Sequence, residues 1–292
     1  MLFQIPNVYT YKKNYLDSNS NKIKILILGN SHSYCGCNPE FIQQNAFNAA
    51  YFSQSINFDA EILENYINRA DSLKYILLPI DYYSLYNRLE YGSESYRVKY
   101  YIMDYGFKFP EFYFSTLNIF NNPLSLNFKR LWWIYYKRNT FDLISDRPCD
   151  RLGYFKPVQK FVDLKISGKT AAERHKKNSN DFLGDNFLEF QKIIHFCKKK
   201  KVKLILFTPP AYKYYIDAFD KNTFEKVAKI GSSFEKNNSN VVYYNFINDT
   251  SFRKEDYFDA DHLNENGAKK LTIKLNNIIS NTESTNKQTK GY

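Results

Sequence analysis

Residues 23–28, IKILIL, form an unbroken apolar run with β-branched members. That is the pattern of a strand buried on both faces, as in parallel sheets. Similar runs recur at 75–80 (YILLPI), 203–208 (KLILFT) and 241–246 (VVYYNF). Between them the apolar positions take a helical period. FDAEILENYINRA (58–70) is apolar at 58, 62, 66 and 67, and FLEFQKIIHFCKK (187–199) at 187, 190, 193, 194 and 197; FEKVAKIGSSF (224–234) and GAKKLTIKLNNII (267–279) follow. Strands alternating with helices predict an α/β domain around a parallel sheet.

One region breaks this rhythm. Residues 85–180 hold Tyr- and Trp-rich segments such as LNFKRLWWIYYKRN, which read as a mainly helical insertion folded over one end of the sheet. Residues 281–292, NTESTNKQTKGY, are polar and aperiodic, the composition of a frayed tail. The reading is therefore a single domain over 1–292, with an insertion at 85–180 and a disordered tail at 281–292.

Composition narrows the function classes. The chain has 292 residues, 43% of them hydrophobic, enough for one large domain with a sizeable core. The 26 Tyr and 25 Phe are rings to bury, and each Tyr hydroxyl needs a partner. A net charge of +11 raises nucleic acid, an anionic surface or an acidic glycan as partners. Much of the excess is scattered lysine, such as 198–201 at a helix end, where it complements the macrodipole. No nucleic-acid module is legible, so no nucleic-acid partner is expected. Four cysteines do not make a disulfide framework, and without a second C-x-x-C or an H-x-x-x-H they do not make a zinc site. They read as small apolar fillers; no metal and no cofactor is expected. No apolar run reaches the length of about 18 residues that a membrane span needs. The opening MLFQIPNVYTYKK is too short and polar for a signal peptide.

The chemistry concentrates after the first strand, in LILGNSHSYCGCNPE (26–40). Two serines, a histidine and two cysteines there could form a C-x-C metal or redox site, a phosphate-binding turn, or a serine nucleophile on a strand-to-helix turn. In open α/β sheets, ligands sit outside the carboxyl ends of the strands, which is where Gly29-Asn30-Ser31-His32-Ser33 falls. The G-x-G-x-x-G spacing is absent. Gly168-Lys169-Thr170 imitates the end of a P-loop, but Asp163 occupies the required earlier glycine. A serine nucleophile needs a base, and the chain has four histidines. His195 reads as a core-edge residue of its helix, His32 as pointing away from its neighbour Ser31, and His175 as a surface-helix residue, with a contact of the insertion with the cleft as the lesser alternative. His262 stands in Asp259-Ala260-Asp261-His262-Leu263-Asn264, after the last strand and before the last helix. A carboxylate three residues earlier can reach the imidazole, fix its tautomer and stabilise the imidazolium formed when serine gives up its proton. The bland alternatives stay open here: Ser31 as a helix cap, and Asp259 with His262 as a structural turn.

G-N-S-H-S after the first strand and D-A-D-H-L before the last helix resemble the first and last sequence blocks, G-D-S-x-S and D-x-x-H, of the SGNH (GDSL-type) hydrolases. Within that superfamily the chain is most similar to envelope-polysaccharide acyl-transfer proteins, the DltD- and AlgX/AlgJ-like ones. The resemblance covers roughly 20–84 and 181–280. It implies a three-layer flavodoxin-like fold and a serine esterase or O-acyltransferase acting on acyl esters of a glycan. In that comparison Ser31 matches the nucleophile, His262 the base and Asp259 its orienting residue. The second block matches Asn48-Ala49-Ala50-Tyr51-Phe52-Ser53, with Ala50 at the oxyanion glycine and Asn48 beside it. The third block, Pro79-Ile80-Asp81-Tyr82-Tyr83-Ser84, lacks the family's asparagine, leaving Tyr83 or Ser84 as its replacement; Asn30 stands where Asp is usual. The resemblance also implies an envelope location and a membrane-bound O-acyltransferase as partner. An inactive accessory or glycan-binding protein is the competing expectation.

Overall fold

The computed structural model describes residues 7–108, 148–157, 162–177 and 182–288. Among them five parallel strands build the central sheet: β1 (Ile25–Ile27), β2 (Ala46–Asn48), β3 (Tyr75–Pro79), β4 (Lys203–Thr208) and β5 (Val241–Asn245). Their spatial order is β2-β1-β3-β4-β5. This is the flavodoxin-like order, whose topological switch point lies between β1 and β3.

The unbroken apolar runs follow from burial on both faces. Leu26, Leu28, Ile76, Leu78, Leu204 and Leu206 point to one layer. There they meet α3 (Ile56–Tyr66), α7 (Leu183–Lys199) and α9 (Thr223–Asn237) through residues such as Leu63, Phe190 and Val227. Ile25, Ile27, Leu77, Ile205 and Phe207 point to the other layer, where Leu271, Leu275 and Ile279 of α10 (Glu265–Gln288) cover them. Each such fully buried aliphatic side chain contributes about 1.5–3 kcal/mol. The fold is thus an α/β three-layer sandwich.

Four features depart from the sequence reading. A helix, α1 (Val8–Asn19), precedes β1; Asn7 caps it, and Val8, Tyr9 and Leu16 pack on the first layer. Strand β2 is too short, at 3 residues, to show a period. The last helix runs to Gln288, so 281–288 are helical and not a frayed tail. The polar residues after Ile279 continue a helix already nucleated by its buried face, and propagation needs only one new bond per residue. His195 is exposed, not core-edge; Phe190, Ile193, Ile194 and Cys197 form the buried stripe of α7.

The described parts of 85–180 are short helical turns, including α5 (Val98–Tyr100) continued by a π turn at Tyr101–Tyr105, and one longer helix, α6 (Leu164–Lys177). Asp163 caps α6 by accepting from the Lys165 and Ile166 N–H groups, so Gly168-Lys169-Thr170 is helix and not a phosphate loop. The Trp-containing stretch 126–139 lies outside the described residues. Among the described residues, no helix is long and apolar enough to cross a membrane.

Candidate active site

The chain leaves β1 through Gly29, at φ +114, where a Cβ would come within 2.3 Å of the Pro79 ring. Only glycine fits both that conformation and that contact. Helix α2 (Ser31–Gly36) starts at the next turn. Asn30 is its N-cap, accepting from the His32 N–H at 2.9 Å and donating to both oxygens of Asp81. Ser31 therefore stands on the first turn of α2, at the carboxyl edge of the sheet and beside the β1/β3 switch point.

The opposing residues come from the other end of the chain. The loop 258–262 is closed by an antiparallel bridge between Tyr257 and Leu263 and by a Phe258 N–H to His262 carbonyl bond. Asp259 Oδ1 accepts from the backbone N–H groups of Asp261 and His262. The same carboxylate meets His262 Nδ1 at 3.0 and 3.1 Å. A carboxylate can only accept, so Nδ1 carries the ring proton and Nε2 presents its lone pair. Ser31 Oγ lies 2.8 Å from that Nε2. Burial works to raise the Asp259 carboxyl, but the facing imidazole and the backbone donors hold it below the usual carboxylate range.

Ser31, Asp259 and His262 are thus brought into one hydrogen-bonded line. Five other residues singled out in the sequence are placed as follows. Ala50 is fully buried and its N–H donates to Asn48 Oδ1 at 3.0 Å, so it is not aimed at Ser31. Asn48 is buried as well and donates to the carbonyls of Ser33 and Cys37 at 2.9 and 2.8 Å. It ties α2 to β2 and has no donor left for a ligand. Asn30 lines the cleft but spends its side chain on the α2 cap and on Asp81. Tyr83 lines the cleft with its hydroxyl donated to the Ser53 carbonyl at 2.7 Å. Ser84 exchanges hydrogen bonds with Asp81 in the capping box of α4 (Tyr82–Tyr86) and offers nothing to the site.

Ser53 was not singled out by sequence. It holds φ 56, a left-handed conformation uncommon outside glycine. Its Oγ hydrogen-bonds to Glu94, and it lines the cleft with Ser31. The backbone N–H groups of Ser53 and Ser31 have no acceptor among the described residues. No composition signal could mark this position, because the backbone angle depends on the fold.

A second group was misread. His32 does not point away; its ring lies 5.5 Å from that of His262, between centroids. Its Nδ1 meets Asp81 at 2.6 Å and its Nε2 meets Asp261 at 2.9 Å. Burial alone would lower the imidazole, but the two carboxylates outweigh it and lift His32 to about 10. Against the same burial, His32 holds Asp81 and Asp261 below the usual range. His175, on α6, lines the cleft with Nδ1 2.8 Å from the Tyr215 hydroxyl, and burial lowers it to about 4.

The cleft encloses about 880 Å³. Phe52 and Phe155, in edge contact at 5.3 Å, form its apolar wall, while Arg174, Glu94 and Lys156 bring charge. Ligand atoms of His32, Asp261 and His262 lie within 4.8 Å of one another. A His32 protonated on both nitrogens offers no lone pair, so this set does not make a metal site as it stands. All four cysteines are free and buried, and burial pushes the Cys37 thiol up to about 12 and Cys149 to about 11. Neither is the low-pKa thiolate that redox or metal chemistry uses.

No family model matches the chain, and no curated protein matches it in sequence. Solved structures similar in shape include the following two. One, from Streptococcus pneumonia and provisionally described as a platelet activating factor, is 12% identical with a TM-score of 0.49, over 93% of this chain and 90% of that one. The other, from Bacteroides fragilis and provisionally described as an acylhydrolase, is 10% identical with a TM-score of 0.40, over 91% of this chain and 96% of that one. The chemistry of the site is therefore read from its own geometry.

Proposed function

We propose that this protein is a serine-dependent acyl-ester hydrolase or acyltransferase of the SGNH type. The observation that carries the reading is the line Ser31 Oγ–His262 Nε2–Asp259, with 2.8 and 3.0 Å between successive groups, opening into a cleft. Ser31 attacks the ester carbonyl, forming the Oγ–C bond, while its proton passes to His262 Nε2. Asp259 stabilises the imidazolium. The N–H groups of Ser31 and Ser53 hold the oxyanion, the second taking the part the sequence reading gave to Ala50. His262 then gives the proton to the departing alkoxide as the C–O bond breaks, and water or a sugar hydroxyl resolves the acyl-enzyme by the reverse sequence.

The substrate class we propose is an acyl, in particular acetyl, ester of a glycan. Support comes from the size of the cleft and its aromatic wall, which suit a sugar ring better than a small free ester. A membrane-bound O-acyltransferase as partner belongs to the same reading. The accessory-protein alternative draws on the third block, which lacks the family's asparagine donor: Tyr83 gives its hydroxyl to the Ser53 carbonyl, and Ser84 is engaged with Asp81.

The deciding experiment is turnover of p-nitrophenyl acetate by the wild type and by Ser31→Ala, with fluorophosphonate labelling located by mass spectrometry. Label on Ser31, and a loss of about 10³-fold or more in kcat for the variant, is the expected result. A folded wild type that neither turns over nor labels would favour the accessory protein.

A further inference from the structure

Two rungs join the turn that carries Ser31 to the loop that carries His262. Ser31 meets His262, and the next residue of the first segment, His32, meets the preceding residue of the second, Asp261. Asp261 accepts from His32 through Oδ1. Its other oxygen, Oδ2, is buried with no hydrogen-bond partner among the described residues, on a side chain only 1% exposed. An unmatched buried carboxylate oxygen is unfavourable and calls for a reason. Oδ2 lies 3.8 Å from His262 Nε2, the atom that would receive the Ser31 proton.

We propose that Asp261 is a second carboxylate for the general base. It faces the Nε2–H that His262 gains from Ser31 at 3.8 Å, by charge and not by a hydrogen bond, and His32, clamped between Asp81 and Asp261, fixes it in place. The inference rests on the serine reading above. While Oγ bonds to the ester carbon, the proton moves from Oγ to Nε2, and Asp261 stabilises the resulting imidazolium through its charge without being protonated. The proton leaves Nε2 for the departing oxygen when the C–O bond breaks. The imidazolium then has an anion at each nitrogen: Asp259 at Nδ1 and Asp261 at Nε2. Asp261 and His32 act through His262 and are positioning residues.

The groups that set the charge here come from four elements. Asp259 and Ser31 face His262 directly. Asp261 is faced by His32 of α2, by His175 Nε2 at 3.8 Å and by Arg174 Nη2 at 3.9 Å, both on α6. Asp81, the N-cap of α4, lies behind His32. His175, lowered by burial, is neutral at the working pH, and Arg174 is half-exposed. His32 is therefore the buried cation that balances Asp261, as its rise to about 10 between the two carboxylates also indicates.

The test is the pH profile of kcat/KM for p-nitrophenyl acetate together with a ¹⁵N NMR titration of the histidines. The proteins compared are wild type, Asp261→Asn and His32→Gln. Removing the Asp261 anion disfavours the imidazolium, so Asp261→Asn is expected to move the acid limb and the His262 titration down by about one pH unit, with kcat lowered and KM unchanged. His32→Gln removes the compensating cation and is expected to move both upward. A purely structural role would lower the melting temperature without opposite shifts, and limbs that stay in place or move together would overturn the proposal. Should either variant fail to fold, the wild-type spectrum still decides. His32 protonated on both nitrogens at pH 8 is expected, and a neutral His32 there would overturn the clamp. The NMR titration needs no turnover. An inactive wild type whose His262 shifts as expected would sink the serine-ester reading and leave the charge arrangement standing.

Discussion

Asp59 illustrates how a single buried group can write itself into the stability of the whole site. Its Oδ1 accepts from the Gly29 N–H at 2.7 Å and from Gln54 Nε2 at 2.6 Å, and no cation faces it among the described residues. Burial lifts its carboxyl from the ordinary value of 3.8 to about 8. The native state thus holds a proton that the unfolded chain has lost between those two values. Stability falls as pH rises through that window, since the folded form binds more protons there. Asp59→Asn keeps an oxygen for both donors and cannot ionise. The variant is expected to melt higher than the wild type at pH 8.5, with the difference shrinking toward pH 4; a difference independent of pH would show that Asp59 stays ionised. Ser31, Asp259 and His262 were legible from sequence as chemistry-bearing types at informative positions. Ser53, Asp81 and Asp261 were not legible in their present parts, because those depend on a backbone angle or on partners 49 and 229 residues from His32.

Among the elements, the least conspicuous in sequence hold the site together. Strand β2 shows no period, yet Asn48 at its end joins three backbone groups: the carbonyls of Ser33 and Cys37 and the N–H of Ala50. An oxyanion donor and a tether make different demands. Losing a donor lowers kcat by about 10²–10³, whereas losing a tether leaves buried polar groups unmatched at about 1–3 kcal/mol each. Asn48→Ala is expected to lower stability by about 2–4 kcal/mol in urea unfolding, with the folded fraction keeping kcat within about tenfold of wild type. A loss of kcat beyond that, at unchanged stability, would return Asn48 to the oxyanion hole. Helix α1 is held similarly: Lys12, buried and hydrogen-bonded to the Ala50 carbonyl, lies 4.1 Å over the Tyr34 ring, and burial lowers it to about 7. A lysine at a core position hides such a helix from any reading by hydrophobic period, which registers only the apolar neighbours.

On the scale of the whole molecule, the +11 charge is the excess left after part of the lysine is paired with carboxylates. Lys192 meets Glu61 and Glu64, Lys270 meets Asp256, and Lys274 meets Asp249. Exposed pairs of this kind contribute little to stability, but each cancels a positive charge locally. A gel shift with duplex DNA is expected to show no complex at 150 mM salt. A tight complex there whose affinity falls steeply with added salt would revive nucleic-acid binding. The sequence by itself determined the layered α/β architecture, because strands buried on both faces and helices buried on one leave periods that need no knowledge of their partners. It also pointed to Ser31 and His262 as candidates for chemistry, since strand and helix ends are local signals. Only the tertiary structure decided which groups meet. It put His32 between two carboxylates, left Asp261 Oδ2 beside His262, turned Ala50 away and brought Ser53 in. Those outcomes rest on long-range contacts and on the charge and burial they create, neither of which is a property of a stretch of chain.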